Sequence, residues 1–295
     1  MEQPGSRFHL LVLERGGDVV AALPLFKAGA RYRTLMSTYT SSMDVVAVPD
    51  PDVSARLPEW VDSLSFAQLY RLPDGSPIVD QLDQHPRWSL QSRISCPYVD
   101  MSDGIDAVRS RWSRKFRSGL RRRWRRLQEL GEVVVVDHHQ PSEISSVLGD
   151  GLKLEAAGWK GREGVAVLSR PGYEAWFRSV AEVAEENGWL RLSALYLDGR
   201  MIAFHFDLVY DNRRHGLVRA YDESEEVAPH SPGNALVDAS LEVSADAGLS
   251  TYEFGYGSQG WKYDWASEER HVNDIVVFGS GVTGGLLSMA RRIKG

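Results

Sequence analysis

The densest run of chemically capable residues lies between 221 and 236. Tyr221-Asp222 closes a β-rich segment, and the acids Glu223, Glu225 and Glu226 follow. Then come His230-Ser231-Pro232-Gly233-Asn234-Ala235-Leu236, which open an apolar-periodic helix. A glycine in the first helical turn lets a ligand approach the backbone closely. The free N–H groups there, aided by the helix macrodipole, can hold a phosphate. The same letters also describe a plain helix start, with Ser231 as N-cap and Pro232 at the first helical position.

Acids, bases and cations elsewhere extend the candidate set. Asp222 is either a general base at a strand end or a turn acid. Glu253 sits between Tyr252 and Phe254 in a β-rich segment, where alternation points it away from both neighbours. A carboxylate buried there is paired or functional. Lys262 could bind an acidic group or pair with Glu253. His205, flanked by Phe204 and Phe206, could hold a substrate, act as a base, or be a core histidine. Glu155, Trp159 and Lys160 form a further charged and aromatic group. No Ser-His-Asp or Cys-His spacing stands out, so direct attack assisted by a base is favoured over a covalent intermediate. His138-His139 resembles a metal pair, but adjacent strand residues face opposite ways, and no metal site is expected.

These residues need elements to position them. Residues 7–14 and 19–27, with Gly16-Gly17 between, read as a β-hairpin. Strands are expected near 32–38, 66–71 and 89–95, and a helix at 53–64. One long helix is expected over 103–130, with apolar Val108, Trp112, Phe116, Leu120, Trp124 and Leu127 in a drifting stripe. Beyond it lie a strand (132–137), helices (141–157, 171–187), a three-strand meander (190–197, 200–210, 214–221), a helix (233–247) and a strand (251–256). The last apolar stretch, 274–290, holds four glycines and reads as strand, turn and helix rather than a membrane span. The segment around Gly17 and the one around Gly199 share a strand, a glycine turn and an Ala-containing strand. That match suggests two copies of one α/β unit: a partial one over 1–102, a connecting basic helix over 103–131, and a full one over 132–295.

Charge is unevenly spread. The chain of 295 residues has a formal net charge of −6. Residues 109–126 carry ten Lys or Arg and no acid, which leaves the rest at −16. A uniformly basic nucleic-acid coat is excluded, but one concentrated basic element is present. It either contacts an anionic partner or pairs with acids of the body. It is expected at the junction of the two units, away from residues 230–235. Cys96 is the only cysteine, so no internal disulfide can form, and a reducing, cytoplasmic setting fits. No secretory leader is visible in residues 1–10.

A meander followed by strand, glycine-bearing loop, helix and strand resembles the GNAT acyltransferase core. Glu155 with Gly158-Trp159-Lys160-Gly161, Tyr221-Asp222, Ser231-Pro232-Gly233, Glu253-Phe254-Gly255-Tyr256-Gly257 and Trp261-Lys262-Tyr263-Asp264-Trp265 are similar to the cellulose-biosynthesis-protein (CelD-like) branch of that superfamily. The family often has Asp at the place of Glu253 and Tyr at that of Trp261. The branch is in turn similar to Fem-type aminoacyltransferases, which hold two GNAT-like units. The resemblance implies an α/β fold with a mixed sheet and flanking helices. It also implies transfer of an acyl group from acyl-coenzyme A to an amine. His230, Gly233, Asn234 and Ala235 align with the pyrophosphate loop, although His230 replaces the usual Gln or Arg. Asp222 or Glu253 would take the proton and Lys262 would assist. Glu155, Trp159, Lys160, His205 and Tyr263 would face the acceptor. Aminoacyl-tRNA gripped by the basic helix is the alternative donor, and the acidic loop 222–226 argues against the tRNA lying directly across the donor site. A non-catalytic GNAT-fold accessory in polysaccharide or envelope biosynthesis is the third reading.

Overall fold

The computed structural model describes residues 6–138 and 141–280. In chain order the elements are β1 (Arg7–Arg15), β2 (Asp18–Ala28), β3 (Arg31–Thr34), β4 (Val46–Ala47), α1 (Pro51–Asp62), β5 (Phe66–Pro73) and β6 (Trp88–Asp100). They continue with α2 (Ile105–Arg111), α3 (Arg114–Gln128), β7 (Val133–His138), α4 (Pro141–Ala157), α5 (Trp159–Arg162) and α6 (Tyr173–Glu186). The series ends with β8 (Leu190–Leu197), β9 (Arg200–Tyr210), β10 (Arg213–Tyr221), α7 (Pro232–Asp246), β11 (Thr251–Glu253) and β12 (Glu268–Phe278).

The chain divides into two compact units. The first comprises residues 1–96, 256–258 and 269–295, and the second residues 97–255 and 259–268. In the first, β1, β2, β3, β5 and β12 lie side by side, with β4 on β2. The β1–β2 hairpin turns at Gly16-Gly17, both at positive φ, as its glycines suggest. Leu23, Leu25, Leu57, Val61, Leu69 and Val277 fill its core. Asp50 caps α1 by accepting from the Asp52 amide (2.9 Å), and Pro51 occupies the first helical position.

The second unit has the strand order β6-β11-β10-β9-β8-β7, with the last four residues of β6 at its edge. β7 to β10 form an antiparallel meander. β10 and β11 run parallel, joined through α7. A helix covers each face of this meander. Gly151 of α4 lies against the Phe204 ring, where a Cβ would come within 2.4 Å. α7 covers the opposite face, with Ser240 and Ser244 meeting His205 and Arg214.

Three expectations are corrected here. The long helix over 103–130 is two helices. Trp112 is extended (φ −73°, ψ 146°), and Ser113 starts α3 by accepting from the Phe116 amide (3.1 Å). The serine cap outcompetes continuation, and Trp112, Phe116 and Trp265 pack edge-to-face into the corner. The strand expected over 89–95 continues to Asp100, and the one over 251–256 ends at Glu253. Of the segment 274–290, β12 ends at Phe278 and residues from 281 onward lie outside the described residues.

Candidate functional site

The parallel pairing of β10 with β11 lasts three residues: Arg213 with Thr251, Arg214 with Tyr252, and His215 with Glu253. β10 then runs on to Tyr221 without β11 beside it. A register shift between Gly216 and Val218 accompanies the parting. The edge of β10 beyond His215 thus parts from β11, with Glu253 at the last pair.

α7 begins beyond β10. Ser231 occupies the N-cap position in left-handed backbone (φ 52°), and its side chain makes no capping bond. Asn234 and Ala235 spend their amides on the Ser231 carbonyl (3.0 and 3.2 Å). The Gly233 amide has no such acceptor among the described residues. A Cβ on Gly233 would meet the Tyr221 ring at 3.3 Å, a tight contact that the ring must yield to accommodate. His230 precedes the turn, and its Nδ1 is buried without a hydrogen-bond partner.

The niche at this helix start is bordered by His230, Ser231, Asn234 and Ala235, and across from them by Leu120, Arg123 and Trp124 of α3. Asp238 also borders it, held by Arg109 at 3.0 Å. The niche admits about 10 Å³, room for roughly one water, so a larger group must displace side chains. The basic helix was expected away from residues 230–235. Its Arg123 instead faces them, because the corner at Trp112-Ser113 turns α3 onto α7. Few of the basic side chains pair with the body. Arg109, Arg111 and Arg125 reach carboxylates. Arg114, Lys115, Arg117, Arg121, Arg122, Arg123 and Arg126 have no carboxylate partner among the described residues.

Asp222 is a restrained acid. It pairs with Arg200 and accepts from the Ser224 amide (2.8 Å). Burial raises its pKa, but the Ser224 and Arg200 hydrogen bonds outweigh that and hold it below the ordinary carboxylate value. Glu223 accepts from the Trp159 amide (3.0 Å) and pairs with Arg162 (2.5 Å). Two acids of the 222–226 loop are therefore neutralised internally, which weakens the expectation that the loop repels a polyanion.

Glu253 is buried at the last paired position before the strands part, and accepts from the Thr251 hydroxyl (3.1 Å). Lys262 is buried in a 3₁₀ turn and donates to the Gly255 carbonyl (3.0 Å). Glu155 is buried in α4. One of its oxygens accepts from Lys160 Nζ and the other from the Val167 amide, both at 2.9 Å. Lys160 also donates to the Arg219 carbonyl of β10 (2.8 Å). This pair locks the α4–α5 segment to β10, and both charges are already engaged. Gly161 permits it: a Cβ there would stand 1.7 Å from the Ala156 carbonyl. Trp159 and Tyr263 are exposed.

His205 is fully buried. Its Nδ1 lies 3.4 Å from Ser240 Oγ, and its Nε2 has no partner. Burial, with Arg219, Arg214 and Lys160 nearby, drives its pKa well below the ordinary histidine value, so it is neutral at pH 7. The register row Asp137–Ser193–His205–Arg219 crosses one face of the meander. Arg214 on that face donates to Asp207 (2.8 Å) and approaches Asp137 (3.4 Å). Sequence reasoning missed Arg123, Arg214 and Arg219. Only alternation within 214–221 offered a signal for the two on β10. His138 bonds Glu143 and Tyr196, both at 2.9 Å, and His139 lies outside the described residues. Among the described residues no group of three His, Cys, Asp or Glu could hold a metal ion.

A meander leading into a parallel pair that parts beside a helix start defines the architecture of an acyltransferase core. Residues 114–263, just over half of the chain, match the family model described as acetyltransferase (GNAT) domain, and the chain belongs to this family. No curated protein sequence matches it. Among solved structures it is similar to FemX, with a TM-score of 0.61 at 11% identity over 97% of this chain and 90% of that one. It is also similar to the C-terminal domain of a putative lysylphosphatidylglycerol synthetase from Agrobacterium fabrum (TM-score 0.59, 13% identity, 97% of this chain and 88% of that one). A third likeness is to L-PGS from Bacillus licheniformis (TM-score 0.58, 14% identity, 97% and 88%). At these identities the likeness concerns the fold.

Proposed function

We propose that the protein is an N-acyltransferase that moves an acyl group from acyl-coenzyme A to an amine. The observation that carries this reading is the parting of β10 from β11 after three residue pairs, on the strand whose following loop leads into α7. A gap of this kind admits a thin, extended donor between two strands, with its phosphates at the helix start. The residues fit such a donor. The Gly233 amide is free, the glycine leaves no side chain over it, and His230 Nδ1 is a buried polar atom awaiting a partner. Arg123 supplies positive charge from α3.

The gap must also hold a base. Asp222 is spent on Arg200 and Ser224, and its proton affinity is depressed. Glu253, at the mouth of the gap, is the better candidate for taking the amine's proton. Lys262 sits close by in sequence and, through Gly255, ties down the chain that leaves Glu253. A reducing cytoplasmic setting is part of this reading; Cys96, the single cysteine, forms no disulfide, and no helix of the described residues is long and apolar enough to cross a membrane.

Calorimetry with acetyl-coenzyme A tests the proposal, together with turnover against a panel of primary amines. Gly233→Glu should abolish donor binding. Glu253→Gln should retain binding and lose turnover about 100-fold or more. Unchanged binding and turnover in both variants would defeat it. One observation favours a second donor, aminoacyl-tRNA: seven cations of α3 lack carboxylate partners among the described residues. Gel-shift with charged tRNA at low salt decides between them, since phosphate contacts of that number would dominate affinity there.

A further inference from the structure

Two arginines on β10 share one sheet face and have opposite circumstances. Arg214 is buried and reaches two carboxylates, Asp207 and Asp137. Arg219 is half-buried and reaches none. Its guanidinium folds back over Gly216, where a Cβ would lie 2.3 Å from Nη2. It lies 5.6, 5.3 and 5.7 Å from the ring centres of Tyr252, Phe254 and Trp261. Its one acceptor among the described residues is the Tyr252 hydroxyl at 3.3 Å. Arg219 Nε is buried with no partner among the described residues.

A guanidinium cannot shed its charge, and a buried donor without an acceptor is costly. In a protein with 40 acids, a semi-buried arginine with no counter-ion is an unfilled position rather than a shortage of carboxylates. The three rings flank the guanidinium, and a planar, two-oxygen partner is the acceptor that its remaining donors suit. Trp261 is substantially exposed and Arg219 itself only partly buried, so the pair borders solvent. The phosphates of the proposed donor have a separate place at α7, with Arg123 as their cation.

We infer that Arg219 is the anchor for a carboxylate of the acceptor, and that the acceptor class is amines that also carry a carboxylate, such as amino acids or peptide ends. This rests on the acyltransferase reading for its context. Arg219 positions the acceptor and takes no part in proton transfer. Tyr252 holds the guanidinium in place, and Trp261 forms an exposed apolar wall beside it.

Product-like ligands test this without the donor. Hippurate, N-acetylglycine and N-acetyl-L-phenylalanine are titrated calorimetrically into the full chain, each against its neutral carboxamide. The wild type should prefer at least one carboxylate over its amide by tenfold or more. Arg219→Gln should erase that preference, and Arg219→Lys should restore part of it. Thermal melts confirm that each variant folds. If Arg219→Gln does not fold, Trp261→Leu, at an exposed position, should still lower carboxylate affinity several-fold and leave the amide unaffected. A wild type that binds no carboxylate, or binds acid and amide alike, overturns the inference. Equal weakening of both ligands by Arg219→Gln overturns it as well, by marking a structural role. Loss of acetyl-coenzyme A binding or turnover bears on the acyltransferase reading instead, so the two failures are separable.

Discussion

Replacing Glu155 by Leu separates a structural clamp from an acceptor site. Glu155 is 2% exposed, and both of its carboxylate oxygens are occupied, one by Lys160 and one by the Val167 amide. The Lys160 side chain retains 24% exposure. Removing one partner of a buried ion pair costs about 3–5 kcal/mol. The abandoned Val167 amide is buried and would add about 1–3 kcal/mol. Partial solvent access of Lys160 relieves part of the first figure, so the expected loss is about 3–5 kcal/mol in all. That is a fifth or more of a typical domain's stability, about 5–15 kcal/mol. Urea denaturation followed by circular dichroism reads it as a fall in midpoint at constant slope. The double variant Glu155→Leu/Lys160→Met should recover about 1–3 kcal/mol relative to Glu155→Leu alone, because the stranded ammonium is gone. A loss under about 1 kcal/mol, or strict additivity of the two changes, would refute the clamp. If stability held and only the acceptor's KM rose, the pair would belong to the substrate, as its sequence neighbourhood suggests.

Further outcomes follow from the same geometry. His205 has a folded-state pKa far below its unfolded value near 6.5. Below about pH 6.5 the unfolded chain therefore binds the extra proton, and stability falls with acidification by up to about 1.4 kcal/mol per pH unit; His205→Gln should flatten that part of the pH–stability curve. Gly161→Ala drives a Cβ into the Ala156 carbonyl and should cost about 3 kcal/mol or more in the same denaturation assay. Reversing Arg121, Arg122 and Arg126 to Glu should change stability by about 1 kcal/mol or less, because none has a carboxylate to lose. The same triple change should abolish heparin retention and any tRNA shift, whereas unaltered retention would exclude α3 as a polyanion surface.

The elements were legible where side-chain periodicity and turn chemistry agree. Gly16-Gly17 marked the first hairpin, and Asp198-Gly199 and Asp211-Asn212 marked the meander turns, where the backbone does adopt positive φ. The apolar stripe Val108–Trp112–Phe116 read as one helix because helix period survives a break that changes direction without changing spacing. Only the Ser113 cap, competing with Trp112's place in the corner, marks it. The site was legible as a list of residues and not as a set of contacts. Asp222, Glu253 and Gly233 were picked out by strand and helix ends. Their partners Arg200 and Thr251, and the Tyr221 ring against Gly233, depend on register and close packing. Nothing in a string of letters distinguishes Arg214, with two carboxylates, from Arg219, with none, although they stand five positions apart on one strand.

The basic helix shows how a charge cluster takes its meaning from a direction. Ten cations within 109–126 describe a polyanion surface if the helix continues straight. The break at Trp112-Ser113 turns α3 across the start of α7, so the cluster acquires two faces. Arg123 looks inward at His230, Ser231 and Asn234, where the proposed donor would place its phosphates. Arg121, Arg122, Arg125 and Arg126 are exposed and look outward. An inward cation confers affinity for one ligand in a confined place, with weak dependence on salt. Outward cations confer affinity for an extended anion, with steep dependence on salt. Coenzyme A binding should therefore fall with Arg123→Ala and change little between 50 and 200 mM salt, roughly the range over which polyanion binding weakens by orders of magnitude. If both ligands responded to salt alike, and Arg123→Ala affected neither, α3 would be acting as one undivided surface and the niche at α7 would not be a phosphate site.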